Sequence, residues 1–213
     1  MIILQAIIDF VPVVLFIVSA IVLQRALYEK MSKGAFALFS AGTIMIAVAG
    51  SFKASWKLLY ALNVCDFEKL NLSFFPMQST GFLLAGAGML GMTFFKQDTS
   101  ENRLNASLYP VLLAAPAVFS GTMIFVAANV LGNLFICIGL SVEAKKRHKD
   151  AAIALFVVSF FLLLAMGYLS SKDFKQASMN WIAEGINTLA QILFLAGSVM
   201  ISKGCAKRQE ESL

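Results

Sequence analysis

The sequence predicts an all-α integral membrane protein of seven transmembrane helices. Three observations carry that prediction: an apolar composition spread along the whole chain, a series of apolar segments of bilayer length, and basic residues segregated between alternate connectors. The chain is 59% hydrophobic and only 14% charged, where a soluble domain of ordinary composition carries roughly a quarter charged residues. Its mean hydropathy is +0.80. Apolar segments fill the length, so one polytopic domain over 1–213 is expected, with no separate soluble domain.

The segments run over 2–24, 34–60, 73–95, 105–119, 121–142, 151–170 and 177–202. A helix needs ~20 apolar residues to cross the hydrocarbon core. The fourth segment is short, contains Pro110 and Pro116, and is separated from the fifth only by Ser120 and Gly121. A six-helix reading fuses the two. Charge decides for seven: connectors 25–33, 96–104 and 143–150 and the C-terminal tail then share one face and hold twelve Lys and Arg residues. The other face keeps Lys53, Lys57, Lys69, Lys172 and Lys175. Basic residues accumulate on the cytoplasmic side, which puts the N-terminus outside and the C-terminus inside. The start is apolar, without a basic leader region, and reads as an uncleaved first helix. The short connectors fit a bacterial cell (inner) membrane.

The same distribution excludes other classes. A net charge of +5 and a pI near 9.2 would raise nucleic acid as a partner in a soluble protein, but here the charge sits in connectors and sets topology. Cys65, Cys137 and Cys205 are scattered and His148 lies in the basic run at 145–149, so neither a disulfide framework nor a metal site is expected. No cofactor is expected. The expected partners are the lipid bilayer and a small polar solute, and a homo-oligomer is compatible with the sequence.

A faint internal repeat accompanies the helix pattern. At a shift of 117, Ala35, Ala37, Leu38, Phe39 and Gly50 fall on Ala152, Ala154, Leu155, Phe156 and Gly167, and Lys30 falls on Arg147. Asp66-Phe67 matches Asp173-Phe174 at a shift of 107. Helices 1–3 and 5–7 then form a 3+1+3 parallel repeat with helix 4 as linker, a plan that places a transport site between halves. Hydrophobic periodicity alone also produces such matches. The plan resembles the architecture of sugar-transporting SWEET proteins and of microbial rhodopsins. The chain has neither a Pro-Gln dipeptide nor a lysine in its seventh helix, so no family is assigned.

The chemistry is concentrated in polar residues within the spans. Asn180, Glu184, Asn187 and Gln191 are spaced by four, three and four residues and share one stripe of the last helix. Asp9 in the first helix, Lys53 and Lys57 in the second, Gln78 in the third, and Asn129 and Asn133 in the fifth fall at similar depth on the outer side. Ionisable residues inside a bilayer are costly and face partners or cavities. A shared pocket open to the outside is therefore expected, with Glu184 paired to Lys53, Asp9 near Lys53 or Lys57, and Trp56 and Trp181 at the rim. Bland readings stand beside it. The Glu184 pair can simply hold two helices together, the asparagines can be interhelical hydrogen-bonding groups, the lysines can snorkel outward, and the tryptophans can form an interfacial belt.

These features favour a transporter or facilitator for a small polar solute. An intramembrane lipid-modifying enzyme is the rival, but the spans hold no HExxH, GxSxG or His/Asp cluster. A seven-helix ligand sensor acting through a partner protein is the third reading.

Overall fold

The computed structural model of the protein describes residues 3–94, 122–170 and 177–210. Among these residues all regular structure is helical: α1 (Ile3–Ile8), α2 (Phe10–Leu27), α3 (Lys33–Ala61), α4 (Glu68–Phe94), α5 (Thr122–Lys146), α6 (Asp150–Ser170) and α7 (Ala177–Glu210). A 3₁₀ turn, Tyr28–Lys30, follows α2. α1 and α2 form one rod. Asp9 keeps right-handed dihedrals (φ −59°, ψ −20°) and its N–H reaches the Gln5 carbonyl at 3.1 Å. The interruption at Asp9 has a covalent cause: Pro12 has no N–H for the Ile8 carbonyl, and its ring crowds that group.

Local chemistry sets the other ends. Ser32 caps α3, its hydroxyl oxygen accepting from the Ala35 N–H at 3.3 Å. Asn63 (φ 54°) and His148 (φ 55°) turn the chain left-handed after α3 and α5; asparagine tolerates that region better than most residues. The helices overrun the sequence-predicted spans. α4 begins at Glu68 rather than 73, α5 continues to Lys146 rather than 142, and α7 continues to Glu210 rather than 202.

Four helices are long and apolar enough to cross a membrane, as in a multi-pass membrane protein: Ile3–Lys30, Lys33–Ala61, Ile124–Lys146 and Asn180–Lys203. α6 supplies a shorter apolar stretch, Asp150–Met166. α4 has 27 residues, but Gln78, Ser79, Thr80 and its glycines dilute its hydropathy. Four helices rather than the expected seven thus satisfy both criteria among the described residues. The predicted fourth segment, 105–119, lies outside those residues. Large apolar side chains such as Val14, Ile44, Leu131, Phe161 and Leu189 are exposed on the outer surface of the bundle.

The six rods form a ring in chain order, each packed on its neighbours in sequence, with α7 returning to α2. Contacts give the directions. Val13 meets Gly50 and Gln24 bonds Thr43, so α2 and α3 are antiparallel. Gly81 meets Ile46 while Gly88 meets Phe39, so α3 and α4 are antiparallel as well. Ser79 bonds the Phe125 carbonyl and Gly139 meets Met89, so α4 and α5 run parallel. α6 and α7 are antiparallel, with Ser159 bonding the Ala190 carbonyl and Phe156 meeting Gly197. α7 runs parallel to α2. Phe94 and Thr122 therefore stand at opposite ends of the bundle.

Glycine permits close backbone approaches. A Cβ on Gly88 would lie 2.6 Å from the Ala35 carbonyl oxygen, and one on Gly86 would lie 2.8 Å from that of Gly132. Close backbone approach through small residues is how helices associate where apolar burial supplies no drive. The buried apolar core, including Leu23, Phe39, Met89, Leu140 and Phe156, fills the half of the ring nearer the Tyr28–Lys30 turn. Phe194 stacks on Phe16 (6.3 Å between centroids) and meets Phe156 edge-on (5.7 Å), carrying that core across the bundle.

Gly132 backs directly onto the backbone of Phe82 and Leu83, whereas a side chain at Gly185 meets nothing. Gly132→Ala should therefore lower stability by about 1–3 kcal/mol through overpacking. Gly185→Ala should leave it unchanged or raise it by up to ~1 kcal/mol through helix propensity. Thermal unfolding of the two variants in detergent compares them; equal midpoints would refute the packing described.

Candidate functional site

The other half of the ring encloses a cavity of about 220 Å³. Its wall is drawn from every rod. Asp9, Pro12, Val13 and Phe16 come from the first, Lys53 and Lys57 from α3, and Phe74, Phe75, Gln78 and Phe82 from α4. Asn129 and Asn133 come from α5, Leu163, Leu164 and Met166 from α6, and Glu184, Asn187 and Gln191 from α7. The two prolines of the described helices sit at this level. Pro12 interrupts the first rod beside Asp9, and Pro76 lies within α4 between Phe75 and Gln78.

Nine of the sequence-predicted residues line this one cavity: Asp9, Lys53, Lys57, Gln78, Asn129, Asn133, Glu184, Asn187 and Gln191. Three do not. Asn180 and Trp181 are exposed on α7. Trp56 donates its indole N–H to Asp66 Oδ1 at 2.9 Å and stacks on Tyr60, outside the cavity wall.

The ion pairing differs from the sequence expectation. Glu184 pairs with Lys57, not Lys53: Lys57 Nζ is 3.1 Å from Glu184 Oε1 and also contacts Asp9 Oδ2. Lys57 and Lys53 lie one turn apart on the same face of α3, and the axial offset of α3 against α2 and α7 brings Lys57 level with both acids. All three side chains are largely buried, at 16%, 5% and 13% exposure for Lys57, Asp9 and Glu184. One lysine thus bridges two carboxylates from two other rods.

Lys53 has a different environment. Its Nζ lies 4.2 Å from the centre of the Phe74 ring and 6.0 Å from that of Phe75. The electron-rich ring faces attract the ammonium. No carboxylate lies within ion-pair distance of it among the described residues. Three buried acceptors nearby, Asp9 Oδ1, Asn129 Oδ1 and Gln191 Oε1, have no hydrogen-bond partner among these residues. Unsatisfied buried acceptors are uncommon in folded proteins and costly.

A second charged cluster, which the sequence reading treated as part of a topology signal, closes the opposite end. Glu143 Oε1 accepts from Lys30 Nζ at 2.6 Å and from Arg147 Nε at 2.7 Å. Arg147 Nη1 donates to the Ile201 carbonyl at 2.6 Å and Nη2 to the Ala26 carbonyl at 3.4 Å. Ala26 is in the last turn of α2. The cluster therefore clasps α2, α5 and α7. A signal for it does exist in the sequence: Glu143 precedes the 145–149 basic run and lies four residues before Arg147. Among the described residues no group of His, Cys, Asp and Glu is arranged to hold a metal ion.

No known family, characterised protein or solved structure matches the chain.

The two lysines should differ sharply in their response to neutralisation. Lys57→Met leaves Asp9 and Glu184 buried together without a cation and should cost about 3–5 kcal/mol, the usual penalty for breaking a buried pair. Lys53→Met exchanges an ammonium for an apolar side chain against Phe74 and should cost less than ~1 kcal/mol or stabilise. Unfolding midpoints of the purified variants test this order, and a larger loss from Lys53→Met would contradict the pairing.

Proposed function

We propose that the protein is a transporter or facilitator for a small polar solute, with its binding pocket among α1–α5 and α7. One observation carries the reading: charged and carboxamide side chains from five rods converge on a single cavity in one half of the ring. The other half is apolar and ends in the Lys30–Glu143–Arg147 clasp. Ionisable groups held at such depth commonly mark solute or ion paths.

The pocket faces outside and the clasp faces the cytoplasm in this reading. The clasp end carries Lys30, Lys33, Lys145, Lys146, Arg147 and Lys149, against Lys53, Lys57 and Lys69 on the pocket half, as the positive-inside rule requires. The setting is a multi-pass position in a cell membrane, with a bacterial inner membrane as the proposed one. Seven crossings are the proposed topology, and the parallel course of α4 and α5 supports it: the chain leaves α4 at one end of the bundle and enters α5 at the other. A 3+1+3 repeat fits the clasp as well. The shift of 117 that relates Lys30 to Arg147 also relates Ala26 to Glu143, and the contacts are reciprocal: Lys30 reaches Glu143 while Arg147 reaches the Ala26 carbonyl. A twofold axis between the halves produces such an exchange.

In mechanism, a solute enters from outside and binds between Glu184, Asn187 and Gln191 on one wall and Lys53 and Asn133 on the other. Carboxamides both donate and accept, which suits hydroxyl-, amide- or amino-bearing solutes. Rocking of the halves about the clasp then exposes the site to the cytoplasm.

Two measurements test this. Cys65 is exposed on the connection after α3. In a Cys205→Ser background a membrane-impermeant thiol reagent should label it in intact cells, while Lys149→Cys should react only after permeabilisation; the reverse pattern would overturn the orientation. In proteoliposomes, solutes that stabilise the protein thermally should be taken up by the wild type and at least ~10-fold more slowly by Glu184→Ala. Equal uptake by both, or none by either, would contradict transport through this pocket.

A further inference from the structure

We infer that the cavity recognises a small zwitterion, with its anionic group on Lys53 and its ammonium on the Asp9–Glu184 side. This rests on the reading of the cavity as a solute site and deepens it. Asp9, Glu184, Lys53 and Lys57 are formally neutral as a set, but the charge is unevenly distributed. Lys57 holds both carboxylates, which leaves an excess negative charge around it. Lys53 sits one turn away with ring faces and no carboxylate. The cavity is therefore a dipole with its positive end at Lys53.

A ligand with one charge satisfies one pole and worsens the other, and low local dielectric makes the mismatch expensive. A zwitterion satisfies both and adds no net charge to the membrane interior. The unpartnered acceptors fit the same ligand. Asp9 Oδ1 lacks a donor at the negative pole, and an ammonium brings three donors and no acceptor. Gln191 Oε1, 91% buried by its 9% exposure, is a second acceptor without a donor on the cavity wall. Lys53 and Lys57 are four residues apart, ~6 Å along the helix axis. The poles thus match an amino acid whose amino and carboxylate groups are separated by about three methylenes better than one that carries both on a single carbon.

The test is a binding panel of matched probes on the purified full chain in detergent: 4-aminobutanoate, butanoate, butan-1-amine and glycine, followed by thermal shift and calorimetry. 4-Aminobutanoate is expected to bind at least ~10-fold more tightly than each of the others, a gap of about 1.4 kcal/mol. Lys53→Met should abolish that preference and bring 4-aminobutanoate to the level of butan-1-amine, while Lys53→Arg should restore part of it. Binding of butanoate or butan-1-amine as tight as that of the zwitterion overturns the inference and leaves the pocket reading standing. A preference for 4-aminobutanoate that survives Lys53→Met also overturns it. No binding by any probe overturns it too, and the uptake comparison with Glu184→Ala then decides separately whether the cavity is a transport site.

Discussion

The contact of Lys57 with Asp9 and Glu184 is the constraint on which the rest of the arrangement depends. It ties three rods at one level: the first at its Asp9 interruption, α3 near its end, and α7 near its start. Charges at this depth are tolerated only with partners, so the axial offset of the three rods is fixed wherever the triad forms. That offset puts Lys53 one turn below it, against Phe74, and brings the carboxamides of α5 and α7 onto the same cavity.

The opposite end solves a similar problem with different means. Glu143 is 4% exposed in its side chain and Arg147 5%, and the guanidinium also donates to carbonyls of α2 and α7. A planar fork with five donors can satisfy one carboxylate and two carbonyls at once, which a lysine cannot. Between triad and clasp lies an apolar core in which glycines draw α3, α4 and α5 together. The bundle is thus held by charge at both ends and by close packing in the middle.

Much of this was legible in the residues. The apolar segments announced the helices, and the spacing of Glu184, Asn187 and Gln191 placed them on one face that does line the cavity. Asn180, at the head of the same stripe, is exposed because α7 begins only three residues earlier, at Ala177. The choice of Lys57 over Lys53 was not legible: both lie on one face of α3, and only the stagger between neighbouring helices separates them. The clasp was hidden for a related reason. Glu143 and Arg147 look like a local pair within a basic run, and nothing near them in sequence reveals that Ala26 and Ile201 offer carbonyls to the same guanidinium. The segment 105–119 and Asp173-Phe174, on which part of the repeat argument stood, lie outside the described residues.

In the proposed function the buried charges serve a solute and do not merely join helices. The most direct measurement is ligand-induced thermal stabilisation in the triple variant Asp9→Asn, Lys57→Met, Glu184→Gln, compared with the wild type and with Lys57→Met alone. Neutralising all three groups removes the uncompensated acids, so the triple variant should recover most of the stability lost by Lys57→Met and yet gain none on adding a solute that stabilises the wild type. Recovery of stability together with an unchanged response to that solute would contradict the account and leave the triad as a fastening between helices.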